Sequence, residues 1–258
     1  MGYATLDAAL AFPNNLPPQQ AHIAITDTLK SDANFLIHHF IVNHLKNDKP
    51  VVLVGFSQIF NHYFLIARKL GINLQTYKQS GKFVFIDGLT HFNPYTPQTP
   101  YPPTKAPTAP TATLEYNQDP KSFYETIASH VQPNALIVLD DISTWIYNGM
   151  DHAALLLKLK ALTERVQGTL LTIMHADEEG TEDMEQDNFV KQVLYGSSLI
   201  LQVQPLHSGL ARDVHGQLDI IYGPQSTVMI EKHTPPQSMH YKILDNNVHF
   251  FAKGIAQI

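Results

Sequence analysis

The sequence predicts an α/β protein with a mostly parallel central sheet and helices on both of its faces. Short apolar runs alternate with longer segments whose apolar residues recur at helical spacing, and repeated strand–helix units give parallel sheets. Several runs are continuously apolar, which is typical of strands buried on both faces. The last part of the chain has short runs separated by turn residues, which indicates an antiparallel meander that closes one side of the sheet.

The first part of the chain contains three predicted strands, at His22–Thr26, Val51–Gly55 and Lys82–Asp87. Helices follow the first two strands, at Ala33–Lys46 and Ile59–Leu70. Ser31 or Asp32 stands where a cap of the first helix is expected, and Gly71 can end the second helix in the left-handed conformation.

The middle of the chain continues the alternation of strands and helices. Strands are predicted at Ala135–Leu139 and Thr169–Met174, and helices at Ser122–Val131, at Leu155–Val166 with Asp151 as its cap, and at Asn188–Tyr195. The runs of the meander are Leu199–Val203, Gln217–Tyr222, Thr227–Glu231, Tyr241–Leu244 and Val248–Phe251.

One proline-rich segment interrupts this pattern. Residues 94–110 carry seven of the seventeen prolines, and prolines supply no N–H groups for a sheet. Since the elements on both sides fit one sheet, we predict a single domain over residues 1–258 with a flexible insertion at 93–118.

The composition excludes several classes of protein. Hydrophobic residues make up 44% of the chain, which rules out a mostly disordered protein. The formal net charge of −6 argues against a free-standing nucleic-acid clamp, which is normally basic. Cysteine is absent, so a disulfide framework, a zinc–thiolate site and a cysteine nucleophile are excluded.

Targeting features point to the cytoplasm or the nucleus. The first basic residue is Lys30, which does not fit a basic targeting segment. The apolar runs are far shorter than the roughly 20 residues that span a bilayer. We therefore expect no membrane partner.

The turn after the first strand resembles a phosphate-binding loop that lacks its glycines. Lys30 and Ser31 take the positions of the Lys and Ser/Thr in the pattern Gly-x4-Gly-Lys-Ser/Thr, but Ala24 and Leu29 stand where both glycines belong. Those glycines let the loop bend its N–H groups toward the phosphates. The alternative is an ordinary exposed helix start with Ser31 as its cap.

A second feature fits the same scaffold. The apolar strand at Ala135–Leu139 ends in Asp140 and Asp141, as do strands that hold Mg²⁺ in nucleotide hydrolases. Together with the degenerate loop, this indicates a nucleotide-hydrolase scaffold that has lost its nucleotide site. Asp141 can equally cap the turn that follows.

Ser57 offers a competing interpretation as the nucleophile of an α/β-hydrolase. The segment Gly55-Phe56-Ser57 lies between a strand and a helix, as a nucleophile elbow does, but Ile59 stands where the pattern requires glycine. The alternative is that Ser57 caps the next helix.

The fourteen histidines are considered as metal ligands, but the chain contains no His-Glu-x-x-His motif. His38 and His39 are adjacent, so they point to different sides of a helix, and we expect them at the surface or at an interface. His175 and Asp177, which follow a strand, are the best remaining metal candidates.

The segment Ser208–Ile220 lies between two predicted strands and offers Arg212 and Asp213 on a glycine-bounded loop. One interpretation is an exposed hairpin in which Gly216 supplies a positive φ. The other is a loop that contacts a subunit or a nucleic acid, with Gly209, Arg212, Asp213 and His215 as its candidate residues.

The stretch Gly209–Leu218, which reads GLARDVHGQL, resembles the corresponding stretch of the Elongator complex protein 6 family. The order of the predicted elements is also similar over nearly the whole chain. The resemblance implies a RecA-like three-layer sandwich without a working phosphate loop.

The resemblance also implies a function within an assembly. Family members join Elongator proteins 4 and 5 in a hetero-hexameric ring with two copies of each. The ring serves the catalytic Elongator subcomplex, which modifies the wobble uridine of tRNA at carbon 5, and the ring binds tRNA and uses ATP to control its release. We therefore expect no catalytic residue, cofactor or metal in this chain, and ATPase activity only in the ring. The alternatives are a hydrolase using Ser57 and another RecA-like protein with different partners.

Overall fold

The computed structural model describes residues 2–90, 109–115, 119–149, 152–176, 183–209 and 211–253. Its strands are β1 (His22–Asp27), β2 (Val51–Gly55), β3 (Phe83–Asp87), β4 (Ala112–Thr113), β5 (Leu136–Asp140), β6 (Thr169–His175), β7 (Leu199–Gln204), β8 (Gly216–Tyr222), β9 (Gln237–Ile243) and β10 (Val248–Ala252). Its α-helices are α1 (Ala4–Leu10), α2 (Asn34–Lys46), α3 (Phe60–Lys69), α4 (Leu74–Gln79), α5 (Pro120–Ala128), α6 (Ser143–Tyr147), α7 (His152–Arg165), α8 (Met184–Tyr195) and α9 (Val228–His233).

The strands form a single ten-stranded sheet in the order β10-β9-β8-β7-β1-β6-β5-β2-β3-β4. The strands from β7 through β4 in this order pair in parallel. β8, β9 and β10 continue from β7 in antiparallel register. This confirms the predicted fold class, a mostly parallel sheet with an antiparallel meander, and it fits a RecA-like sandwich.

Helices cover the parallel part of the sheet on both faces. On one face α1, α2 and α3 contribute Leu6, Phe40 and Phe60 to the core, which also includes the inner side chains of the meander. On the other face α5, α7 and α8 pack with Trp145 of α6 against the parallel strands. Within the described ranges, no helix is both long enough and apolar enough to cross a bilayer.

One predicted strand was wrong. The run Thr227–Glu231 lies in α9, a helix that Thr227 begins as its N-cap and that ends just before Pro235 and Pro236. Ile230 of this helix is buried in the core. β-branched residues favour strands, but here the Thr227 side chain accepts from the N–H of Ile230 and starts a helix instead. Gly71 has a φ of 82°, as predicted for the residue that follows α3.

Two predictions lie outside the described residues, wholly or in part. Of the insertion at 93–118, the structure describes 109–115, where β4 extends the sheet beside β3. The flexibility of this insertion stays a prediction. The organisation of residues 1–258 as a single domain also stays a prediction. Asp151, the predicted cap of α7, is also outside the described residues.

Candidate functional site

The candidate site lies at the carboxyl edge of the sheet, where the parallel strands β1, β6, β5 and β2 end side by side. In open α/β sheets, ligands bind outside these strand ends. Four acidic and basic side chains, Asp27, Asp140, Asp141 and His175, lie there and are called the edge cluster below.

An ion pair joins the ends of β1 and β6. Nδ1 of His175 donates to Oδ1 of Asp27 at 2.5 Å, and Nε2 lies 3.6 Å from Oδ2 of Asp141. The hydrogen bond to Asp27 and the nearby negative charges raise the pKa of His175 to about 9. The ring is therefore a cation held between two carboxylates at neutral pH.

The second oxygen of Asp27 occupies the start of α2. Oδ2 accepts a hydrogen bond from the N–H of Ala33 at 2.9 Å, and Asp32 accepts one from the N–H of Asn34 at 2.6 Å. Free N–H groups at a helix N-terminus are the groups that bind phosphate in a phosphate loop. Here two carboxylates of the chain use them.

The turn between β1 and α2 is tight. The N–H of Ser31 donates to the carbonyl of Thr28 at 3.0 Å, while Leu29 and Lys30 at the tip are exposed. The prediction that Ser31 caps α2 was wrong, because its buried hydroxyl bonds with that of Tyr241 in β9 at 2.8 Å. This contact ties the turn to the meander.

Asp140 is fully buried at the end of β5. Ser57 donates to its Oδ2 at 2.5 Å, and the Tyr63 hydroxyl of α3 donates to the same oxygen. The prediction that Ser57 caps α3 was therefore wrong, since the N-cap is Ile59. Burial raises the pKa of Asp140 to about 6, although both hydrogen bonds oppose the shift.

Asp141 follows β5 with a φ of 58°, a left-handed conformation that Asp tolerates better than most residues. Its Oδ1 accepts from the N–H of Ser143 at 3.2 Å. Asp141 thus caps the turn that leads into α6, as the simpler of the two sequence interpretations held. Burial raises its pKa, and the charge of His175 opposes the rise.

The edge cluster is an ion-paired and hydrogen-bonded set of side chains. A serine nucleophile needs an imidazole that can take its proton, but within the described part of the chain no histidine ring hydrogen-bonds to Ser57. In the same residues, no three His, Asp or Glu side chains are arranged to hold a metal ion. Asp177, the other predicted metal candidate, lies outside the described residues.

The predicted contact loop joins β7 to β8 at the same edge. Asp213 pairs with Lys242 of β9 at 2.6 Å, and Nδ1 of His215 accepts from the N–H of Ile243 at 3.1 Å. Arg212 is exposed. Leu210 lies outside the described residues.

The role predicted for Gly216 was wrong. The positive φ of the contact loop, 86°, belongs to Gly209. Gly216 is needed for close approach instead, because a Cβ there would lie 2.6 Å from the Tyr241 hydroxyl.

The prediction that His38 and His39 lie at the surface or at an interface was also wrong. Both rings are buried in α2, and Nδ1 of His39 accepts from the N–H of Tyr3 at 2.9 Å. Burial lowers the pKa of each to about 3, so both are neutral parts of the core.

Several apolar side chains that follow the parallel strands at this edge of the sheet are exposed. Leu29, Ile59, Leu89 and Tyr147 follow β1, β2, β3 and β5, and they are between 38% and 89% exposed. We call these four residues the carboxyl-edge patch. Tyr195, Ile221 and Val228, which are 39–79% exposed, lie at the opposite edge, where β7 begins and β8 ends, and form the amino-edge patch.

Comparison with known proteins gives the family. A family model described as Elongation complex protein 6 matches residues 3–245, which include every strand of the parallel sheet. The chain belongs to the Elongator complex protein 6 family. The resemblance stated from the Gly209–Leu218 stretch is thereby confirmed.

Curated relatives carry the name Elongator complex protein 6. The one from Xenopus tropicalis is 31% identical over 238 residues, covering 88% of each chain. The human one is 29% identical over 251 residues, covering 92% of each. The one from Dictyostelium discoideum is 23% identical and covers 92% of this chain.

For this family member, sequence motifs marked Asp140 and Asp141 but missed Asp27 and Tyr63. Asp27 ends a strand just before the degenerate loop, so an acid at that position was the available signal. The sequence contains no signal for the role of Tyr63, because its position on α3 indicated only packing in the core.

Proposed function

We propose that this chain is a non-catalytic subunit of Elongator that joins Elongator proteins 4 and 5 in a hetero-hexameric ring. The ring would hold two copies of each protein and support tRNA binding and modification of the wobble uridine at carbon 5. Such a subunit would act in the cytoplasm or the nucleus, without a membrane.

The main observation that supports assembly in a ring is the pair of apolar patches. A ring built head to tail needs two different surfaces on each subunit, one for each neighbour. The carboxyl-edge patch and the amino-edge patch lie at the two opposite edges of the sheet, where the parallel strands end and begin, and each offers apolar side chains to a neighbouring subunit. Interfaces that hold stable rings bury on the order of 1,600 Å² or more.

The edge cluster supports a non-catalytic role. Asp27 already accepts from the N–H of Ala33, the N-cap of α2, and Asp140 and Asp141 lie at the end of β5, two strands away. Lys30 stands exposed on a tight turn in which the N–H of Ser31 already donates to the carbonyl of Thr28, so this turn does not offer that N–H to a phosphate. ATP would then be handled by other parts of the ring.

Family membership favours Elongator partners over those of another RecA-like protein. The hydrolase alternative depends on Ser57, and its hydrogen bond to Asp140 provides no route for a proton to an imidazole. A fluorophosphonate label on Ser57 would support that alternative, and an unlabelled protein would remove it.

Co-expression with Elongator proteins 4 and 5, followed by native mass spectrometry, tests the proposal. We expect one particle with two copies of each chain. A stable complex that lacks this chain, or this chain purifying alone from the mixture, would contradict the proposal.

A further inference from the structure

Helices α2 and α3 and the turn between β9 and β10 enclose a groove of about 430 Å³, which we call the helix groove. Concave sites of this size that combine apolar walls with a few polar groups are typical of places that take up a ligand or a side chain of a partner. The apolar walls of the helix groove are Phe35, Ile66, Leu70, Ile243 and Leu244.

Asp32 is an exposed acid that lines the helix groove. Its Oδ1 accepts from the N–H of Asn34 at 2.6 Å, and its Oδ2 accepts from Nδ2 of the same residue at 3.1 Å, so the carboxylate is held in one orientation. Among the described residues, no ion pair includes Asp32. Because each carboxylate oxygen accepts more than one hydrogen bond, both can still accept from a donor outside the chain.

The charge of the helix groove differs between its two ends. Helices α2 and α3 both follow strands of the parallel part of the sheet, so both begin at the carboxyl edge, where Asp32 and Gln58 lie. Lys69 comes seven residues after His62 on α3, which is about 10 Å along the helix axis. A cation that enters from the carboxyl edge therefore meets Asp32 first and lies away from Lys69.

Two histidines without hydrogen-bond partners line the helix groove. His38 is only 3% exposed, and its ring centroid lies 5.9 Å from that of His62. Within the described residues neither ring takes part in a hydrogen bond. Burial lowers the pKa of His38 to about 3 and also lowers the pKa of His62. Both rings are therefore neutral at pH 7, and each offers a nitrogen acceptor and a flat face.

We propose that the helix groove receives an arginine side chain from the ring subunit that covers the carboxyl-edge patch, with the guanidinium on Asp32 and against the rings of His38 and His62. Arginine carries five donors and no acceptor, pairs with a carboxylate through two hydrogen bonds and stacks on flat rings. Its aliphatic stem can pack on Phe35 and Ile66. This inference rests on the proposed function.

The position of the helix groove favours the ring neighbour as the source of the arginine. Gln58 lines the groove and directly precedes Ile59 of the carboxyl-edge patch, and the turn that carries Leu29 leads to Asp32. Interface energy is concentrated in arginine and aromatic side chains that fill pockets of this kind. RNA is a poorer occupant, because Asp32 and Asp245, which also lines the groove, would repel its phosphates.

The first test compares Asp32→Asn with Asp119→Asn in the ring assembled with Elongator proteins 4 and 5. Asparagine keeps an oxygen for the N–H of Asn34 but removes the charge that the guanidinium needs. Mass photometry over a dilution series should show the Asp32→Asn ring dissociating at about tenfold higher concentration, as expected when a charged partner is lost from an interface.

Asp119→Asn is the matched control. Asp119 is also an exposed acid at the start of a helix, where its Oδ1 accepts from the N–H groups of Lys121 and Ser122 at 2.9 and 3.0 Å. Its helix, α5, packs on the opposite face of the sheet from α2 and α3. This ring should dissociate at the same concentration as the unmodified ring.

The second test leaves Asp32 in place. Benzoylphenylalanine, a photo-crosslinker, replaces Leu244, which is 48% exposed at the rim of the helix groove. Mass spectrometry should find it linked to Elongator protein 4 or 5 within a few residues of an arginine. Changing that arginine to lysine should weaken the ring as Asp32→Asn does, and the two changes together should cost no more than either alone. The same crosslinker in place of Leu157, on α7, should not reach this segment.

The outcomes separate this inference from the proposed function. If the ring forms and the Asp32→Asn and Asp119→Asn rings dissociate alike, the inference is overturned and the proposed function stands. A cross-link from position 244 to a segment without arginine, to a second copy of this chain or to RNA would also overturn the inference alone. If the unmodified chain forms no ring with Elongator proteins 4 and 5, the proposed function fails and this inference fails with it.

Discussion

Replacement of Asp27 by asparagine is expected to lower the free energy of unfolding by about 2 kcal/mol at pH 6, less than the roughly 3–5 kcal/mol typical of a fully buried ion pair, because the His175 side chain is 32% exposed. Oδ1 of Asp27 accepts from His175 and Oδ2 accepts from the N–H of Ala33. An amide of the same shape must turn its NH₂ group toward one of these two donors. Because the volume is unchanged, a cavity contributes nothing to the loss.

The loss should depend on pH. The folded-state pKa of His175 is about 9, above its ordinary value of 6.5. Its contribution to stability is therefore complete below about pH 6.5 and disappears as the pH rises through 9. Above that value the neutral ring can accept from the amide, so the difference between the native protein and Asp27→Asn should shrink.

Urea unfolding at pH 6 and pH 9.5 measures both effects. Asp48→Asn is the matched control, because Asp48 pairs with Lys82 at 3.2 Å but its side chain is 82% exposed. Exposed pairs contribute about 0–1 kcal/mol, so this change should be small at either pH. Equal losses for the two variants, or an Asp27→Asn effect that ignores pH, would show that the edge cluster does not hold β1 to β6.

Leu29→Glu is expected to break the contact with one neighbour in the ring. Leu29 is 89% exposed at the tip of the tight turn, and burying a carboxylate without a partner is costly. We expect a loss of at least about thirtyfold in affinity for that neighbour, equivalent to a hot-spot residue. Analytical ultracentrifugation of the co-expressed complex measures the loss as a shift to smaller particles.

Leu157→Glu provides the control for this change. Leu157 is 67% exposed on α7 and belongs to neither apolar patch, so the ring should persist. Both variants should keep the unfolding free energy of the isolated chain within about 0.5 kcal/mol, as surface substitutions do. An intact ring with Leu29→Glu would remove the carboxyl-edge patch from the interfaces.

The sequence predicts the elements of this fold better than the side-chain contacts of its site. Val51–Gly55 was predicted as a strand because a short, continuously apolar run that ends in glycine is typical of a strand buried on both faces, and that property is local. The partner of Ser31 is Tyr241, which lies 210 positions away, and that of Ser57 is Asp140, 83 positions away. Both hydroxyls were predicted to be caps, because capping is the local use of such a group.

The edge cluster illustrates the same limit. Asp140 and Asp141 were found because a strand that ends in acid is a local pattern. Asp27 was missed because its role depends on His175, 148 positions along the chain, and on the parallel pairing of β1 with β6. Which strands pair cannot be read from any local pattern, so the position of the histidine between two carboxylates could not be predicted.

The most direct test is a calorimetric titration of ATP with Mg²⁺ into the purified full chain. It measures whether a nucleotide can bind at the carboxyl edge of the sheet, where Asp27 accepts the N–H at the start of α2. We expect no saturable heat up to about 1 mM nucleotide, a concentration at which even weak sites would begin to fill. Micromolar binding that Lys30→Ala abolishes would contradict this account, because it would place a nucleotide where Asp27 now holds the start of α2.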